Sequence, residues 1–164
     1  WDTIVREGQS LLRNLVEIEV PVIAAVNGPA FIHAEIAVLA DIVLASEDAS
    51  FADKAHAISG VMPGDGVQAV WPMLLGPNRA RYFLLTGQEI GAREALALGI
   101  VGEVLPADAL LDRAWEHARQ LAQRPPLAMR YARMTLIAPL REALGRNLAP
   151  GLVMEGMAIL AAMK

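Results

Sequence analysis

Ile4, Gly8, Leu11, Leu15 and Ile18 follow one another at steps of 4, 3, 4 and 3, while Arg6, Glu7, Arg13 and Glu17 fall on other faces. That periodicity predicts an amphipathic helix over residues 2–17 with this stripe against the core. Pro21 stops it. The apolar run from Val20 to Val26, closed by Asn27-Gly28-Pro29, predicts a core strand buried on both faces. Residues 33–39 (HAEIAVL) are helix-forming, and Ile42 to Ser46 is a second β-branched apolar run. Strand, turn, short helix and strand make a βαβ unit, so the fold class is α/β with a parallel sheet. From Ser46 to Gly66 regular signals are few, and this stretch, with its Pro63-Gly64-Asp65-Gly66 cluster, reads as a loop where functional groups concentrate. Beyond it the pattern predicts helices over 67–75, 78–85, 91–98, 107–123 and 127–136, and over 139–162 with breaks. A strand at 101–105 interrupts them.

Pro125-Pro126 divides a core-building part, 1–124, from a helical tail, 125–164, rich in Met129, Met134, Met154, Met157 and Met163. Such a tail either covers its own core or docks on another subunit. The 164 residues suit one domain, and at 55 % hydrophobic and 20 % charged the chain must bury a core. A net charge of −4 gives no basic field, so neither nucleic acid nor an anionic membrane is expected as a partner. The absence of cysteine excludes disulfides, thiolate metal sites and a cysteine nucleophile, and fits a cytoplasmic location. No apolar run is long enough to span a membrane, and WDTIVREGQS is not a signal sequence. A chain opening on Trp1 reads as a piece of a longer protein.

The three histidines differ in context. His117 sits in a charged helix and reads as a surface residue. His33 follows the Asn-Gly-Pro turn and opens a short apolar helix, where it is either a capping histidine or a neutral hydrogen-bond donor. His56 lies in the loop-rich stretch, with Asp65 nine residues on. An imidazole held by a carboxylate is a competent general base, although Asp in a glycine-rich turn is also ordinary turn chemistry. Glu35, inside an apolar helix, is a site residue or a structural partner. Nucleophile-elbow, zincin, Walker and dinucleotide-binding motifs are absent, and the spacing of His33, Glu35, His56 and Asp65 matches no metal-ligand pattern. No metal is expected.

Three blocks carry a resemblance: VPVIAAVNGPAFIHAEIAVLADIVLASEDASF, SGVMPGDG, and LTGQEIGAREALALGIVGEVLP. In this order they resemble the enoyl-CoA hydratase/isomerase (crotonase) superfamily along nearly the whole chain. The departures are informative. Where typical members carry a glycine-rich stretch that forms half of a thioester oxyanion hole, this chain reads Phe31-Ile32-His33-Ala34-Glu35. Four residues before Gly60, where the hydratases place an acid, stands His56, while Glu35 still aligns with a hydratase carboxylate. His33, His56 and Asp65 together resemble the 6-oxocamphor hydrolase type of β-diketone hydrolase, a crotonase relative that uses no coenzyme A.

That resemblance implies a retro-Claisen hydrolysis of a cyclic 1,3-diketone and no cofactor. His56, oriented by Asp65, activates water, and His33 donates a hydrogen bond to the developing enolate. Glu155 matches a further polar site position or is a plain helix-surface acid, and Phe31 and Glu35 complete the substrate-binding set. The implied fold is a superhelix of ββα turns with a C-terminal helical region that builds homotrimers or dimers of trimers, here without its opening segment. The alternatives are an acyl-CoA hydratase or isomerase using Glu35, and an inactive piece that only assembles.

Overall fold

The computed structural model describes residues 1–163, a mixed α/β arrangement that ends in long helices. Helix α1, Asp2–Glu17, forms as its periodicity predicts but buries Leu12 and Val16. Ile4 and Leu11 remain about half exposed and face a cavity. Of the predicted stripe Leu15 packs against the core, while the buried face lies one step round the helix at Leu12 and Val16.

Strand β1, Ile23–Val26, lies parallel to β3, Ile42–Ser46, which lies parallel to β6, Glu103–Leu105. The order β1-β3-β6 puts β1 at an edge among the described residues. It is therefore only partly buried, with Ala25 exposed, and not the doubly covered core strand expected from its composition. Central β3 is the strand buried from Val43 to Ser46. A second sheet consists of two-residue pieces, too short to leave a periodic signal. In it β2, Pro29–Ala30, runs parallel to β4, Ser50–Phe51, which pairs antiparallel with β5, Ile90–Gly91.

The stretch read as a loop also contains helix α3, Lys54–Ser59. Asp53 caps its start, accepting the His56 amide at 3.4 Å, and Gly60 closes it in the left-handed conformation (φ +67) that glycine adopts without a Cβ penalty. Between caps lies KAHAIS, which has no apolar periodicity, so only the caps announce it.

After α2, Ala34–Val38, and α3, the remaining helices are α4, Val67–Leu75; α5, Pro77–Thr86; α6, Ala92–Ala97; α7, Ala107–Ala122; α8, Pro126–Leu136; and α9, Ala138–Ala162. The breaks expected in the last of these do not occur: α9 runs through Pro150. A proline there removes one intrahelical hydrogen bond, and burial of Leu144, Leu148 and Leu152 offsets that loss. These leucines share one core with Leu12, Val38, Phe51, Trp71 and Phe83, so the tail covers its own chain's core.

Two clamps fix α8 and α9. Arg133 on α8 is almost fully buried and donates to the carbonyls of Ile18 (2.5 Å) and Leu15 (2.9 Å) and to Asp41, whose Oδ2 also accepts the Val22 amide at 2.7 Å. One guanidinium thus satisfies the open carbonyls at the end of α1 and joins them to the start of β1 and the turn before β3. On the other side, Gln68 Nε2 donates to Gly64 O (2.9 Å) and Asn147 O (3.2 Å), while its Oε1 accepts the Gly66 amide at 2.9 Å. The Pro63–Gly66 turn is held so close to α9 that a Cβ on Gly64 would overlap Gly151 O and stand 2.9 Å from Glu155 Cβ.

Alanine at Gly64 or Gly151 should therefore force the turn and α9 apart. Each substitution is expected to cost about 1–3 kcal/mol, seen as a lower urea midpoint with an unchanged m-value. An unshifted midpoint would show that α9 does not depend on this contact.

Candidate active site

Helix α3 is too short to be stable alone, and its first turn is set by Asp53. The same carboxylate that caps the helix grips the His56 ring, with Nδ1 2.7 and 2.9 Å from Asp53 Oδ1 and Oδ2. Both residues are buried. A carboxylate can only accept, so Nδ1 carries the proton and Nε2 is turned the other way. There it faces Asp65 Oδ2 at 3.8 Å and Glu155 Oε1 at 3.6 Å. The family resemblance implies Asp65 as the carboxylate that orients His56. The structure gives that position to Asp53, because a residue three places back across a helix cap reaches Nδ1 while the Pro63–Gly66 turn approaches from the Nε2 side.

Asp65 instead lies 3.1 Å from His33 Nδ1, which is also 3.0 Å from Glu35 Oε1. His33 has φ +54 and ψ +41, and it is the one described non-glycine residue with positive φ. For an L-residue that conformation costs roughly 1–2 kcal/mol; here it turns the ring onto the two carboxylates and into the cavity. Glu35 is fully buried on α2.

Charge follows from these contacts. The Asp65 hydrogen bond, then that of Glu35, raises His33 from 6.5 to about 10. The two carboxylates thus favour the imidazolium form of His33 over the neutral donor expected at a helix start, since a five-residue helix has little dipole to oppose them. Burial pushes His56 down, but the Asp53 hydrogen bond, then Glu155 and Asp65, outweigh it and raise the group to about 10. Burial raises Glu35 against the pull of His33. Burial works on Asp65 in the same way, yet the His33 hydrogen bond and the His56 charge hold it below its usual range.

These groups open onto a cavity of about 490 Å³ whose wall combines His33, His56, Asp65 and Glu155 with Trp1, Ile4, Leu11, Leu152 and Ile159. The structure therefore gathers His33, Glu35, His56, Asp65 and Glu155. Glu35 stands off the wall, touching it through His33. Phe31 does not line the cavity: its half-buried ring lies under Lys54 Nζ, 3.5 Å from the centroid, and its carbonyl accepts the Lys54 amide at 3.0 Å. Asp53 is the residue that sequence reasoning missed, although Asp three places before His56, with Gly after the short run, is a capping signal. His117 bonds to Glu103 (2.8 Å), far along the chain from this cluster.

Two sets of side chains converge closely enough to hold a cation: His33 with Glu35 and Asp65, and His56 with Asp65 and Glu155. Chain spacing hides the second set, whose members come from α3, the following turn and α9. No helix of the described residues is long and apolar enough to cross a membrane.

The sequence model of the enoyl-CoA hydratase/isomerase family matches residues 2–155. Among solved structures, a β-diketone hydrolase from the cyanobacterium Anabaena sp., bound to (S)-3-oxocyclohexyl acetic acid, is 44 % identical with a TM-score of 0.98. The match covers 100 % of this chain and 66 % of that one. An enoyl-CoA hydratase/isomerase from Mycobacterium paratuberculosis is 29 % identical with a TM-score of 0.90, over 97 % of this chain and 63 % of that one. Among curated proteins, the carnitinyl-CoA dehydratase of Citrobacter koseri is 41 % identical over 119 residues, which are 72 % of this chain and 45 % of that protein. The chain thus spans less than half the length of such curated relatives.

Because the folded state raises both imidazoles above 6.5, their proton binding stabilises it below pH 6.5, and that contribution is lost as pH climbs towards about 10. Unfolding free energy is expected to fall across this window. In parallel, the imidazole ring-proton signals of His33 and His56 should still be titrating well above neutrality. Titration of both near 6.5 would contradict the contacts described.

Proposed function

The chain belongs to the enoyl-CoA hydratase/isomerase family, and we propose that in this member the cluster hydrolyses a carbon–carbon bond of a cyclic β-diketone. The observation that carries the reading is the buried Asp53–His56 pair, with the free ring nitrogen directed at Asp65 and Glu155 on the wall of a largely apolar cavity. The 44 % identity to the Anabaena hydrolase supports it.

In its neutral form His56 keeps Nδ1–H on Asp53 and takes a proton from water at Nε2. Glu155, the nearer of the two facing carboxylates, accepts the water's other hydrogen and aligns it, with Asp65 beside it. The oxygen attacks one ring carbonyl. The bond to the carbon between the carbonyls then breaks, its electron pair passing to that carbon and into the second carbonyl as an enolate. His33, held on Glu35 and Asp65 through Nδ1, donates Nε2–H to the enolate oxygen, and its imidazolium charge favours the transition state over the neutral ketone. Return of the His56 proton to the enolate carbon gives a keto acid, so diketone plus water balances product. No cofactor enters. The exposed Leu127, Tyr131 and Leu136 of α8 and Met154, Met157 and Leu160 of α9 suit the tail for assembly as a homotrimer or a dimer of trimers.

A second reading rests on the curated relatives: dehydration or isomerisation of an acyl-CoA, with Glu35 as the acid–base group. Against it, Glu35 is buried behind His33, and His56 occupies the place of the second carboxylate.

Incubation with cyclic 1,3-diketones in ¹⁸O-water should give a keto acid carrying one label. His56→Ala and Asp53→Asn are each expected to lower kcat by about 10²–10⁴-fold with KM nearly unchanged, and the wild-type rate should rise with pH above neutrality as His56 loses its proton. His33→Ala should lower kcat and weaken binding together. Full activity in His56→Ala, or saturable acetyl-CoA binding with turnover of a crotonyl thioester and no diketone cleavage, would overturn the proposal.

A further inference from the structure

A histidine whose Nδ1–H is tied to a carboxylate presents the Nε2 lone pair in a fixed direction, as the histidine ligands of metal sites do. Asp53 imposes this on His56. The atoms in front of Nε2 are Asp65 Oδ2 at 3.8 Å and Glu155 Oε1 at 3.6 Å, both too far for a hydrogen bond. Around a tetrahedral ion with ligands at ~2.0–2.1 Å, the ligand atoms stand roughly 3.3–3.4 Å apart. The two edges that meet at Nε2 need to shrink by only a few tenths of an ångström, and all three ligand atoms lie within 4.8 Å of one another.

A second observation points the same way. Asp65 Oδ1 and Glu155 Oε2 are buried and make no hydrogen bond among the described residues. The His56 side chain is itself only 7 % exposed, and those of Asp65 and Glu155 are 13 % and 12 % exposed. Two carboxylates so far from water, each with one oxygen facing His56 Nε2 and the other without a partner, are a donor set that a cation completes.

The donor types choose the ion. One imidazole nitrogen with two carboxylate oxygens suits Zn²⁺, whereas Mg²⁺ requires octahedral oxygen donors about 2.9 Å apart, and Ca²⁺ needs more of them. We infer that His56, Asp65 and Glu155 form a reversible Zn²⁺ site, with Asp53 behind the histidine and a fourth position open to the cavity. Zinc on Nε2 occupies the lone pair that takes the proton from water, so the loaded protein is inhibited. The inhibition rests on the hydrolase reading above; the binding does not.

Calorimetric titration of the metal-free chain with ZnCl₂ should show one saturable site, with MgCl₂ giving no comparable heat. Co²⁺ in place of zinc should produce the visible absorption of a four-coordinate site. His56→Ala and Glu155→Gln are each expected to weaken zinc by tenfold or more, and Asp53→Asn by about 10–100-fold, all with native circular dichroism. His117→Ala, which removes the other histidine bonded to a carboxylate, should leave affinity unchanged. Affinity that survives both His56→Ala and Glu155→Gln, or that falls in His117→Ala, would place the ion on the surface and overturn the site. Diketone cleavage should stop at the zinc concentration that fills the site and return with EDTA. Cleavage that persists in the filled protein would overturn the inhibition. If no diketone is cleaved by the metal-free chain, the hydrolase reading falls and the calorimetric arm still decides the site.

Discussion

Four carboxylates gather around the buried His56 imidazole and the half-exposed His33 ring, and the remainder of the site is arranged so that they can. Asp53, Asp65, Glu35 and Glu155 would repel one another there if all were ionised and unpaired. Each imidazole therefore stands between acids: His33 between Glu35 and Asp65, and His56 between Asp53 on one nitrogen and Asp65 and Glu155 on the other. The balance is incomplete. Its remainder appears as a Glu35 carboxyl that burial raises and as imidazoles that give up protons reluctantly. A substrate or a change of pH that alters the count of protons in such a cluster changes which of its groups can act as a base.

Holding such a cluster together demands a stiff frame, because like charges relax apart wherever the backbone allows. Stiffness comes from close approach more than from long contacts. Gly64 meets Gly151 with no room for a Cβ, and Gln68 spans the turn and α9 with three hydrogen bonds. Asp65 and Glu155, 90 positions apart in the chain, are thereby fixed on one side of His56. The proline inside α9 fits this arrangement: Pro150 precedes Gly151, and burial of Leu148 and Leu152 on either side keeps the helix continuous across the lost bond. At the opposite side of the fold, Arg133 performs the corresponding task for α1, β1 and the turn before β3 with a single buried guanidinium.

The legible parts were those whose signal is periodic or local. The helices from α4 onward, the β3 run and α1 announce themselves through spacing, and the family resemblance supplied His33, His56, Asp65 and Glu155 as a group. What spacing could not give was direction. Asp65 is in the right place for a different reason than expected, since which ring nitrogen it faces depends on the path from Gly60 to Gly66. The Asp53 contact needed α3 to be recognised, and a six-residue helix without an apolar face is visible only through its caps. The edge position of β1 could not be read at all: an apolar run looks alike whether one neighbour or two lie beside it. Phe31 was carried along by its neighbours in the chain, and the strand pairing that turns His33 inward leaves Phe31 under Lys54.

Specificity and chemistry converge on α9. Leu152 and Ile159 line the cavity on the same helix as Glu155. Trp1 is seated on that helix, its Nε1 donating to Leu152 O at 2.9 Å and its ring lying where a side chain at position 156 would be. Gly156 is what lets the indole approach the turn that carries the acid. A bulkier residue there would push the wall away from Glu155. The apolar wall leaves the polar contacts of the cavity to His33, His56, Asp65 and Glu155. Because one helix carries both wall and acid, a shift that widens the cavity also moves Glu155 away from His56, so cavity size and proton transfer cannot be adjusted independently in this fold.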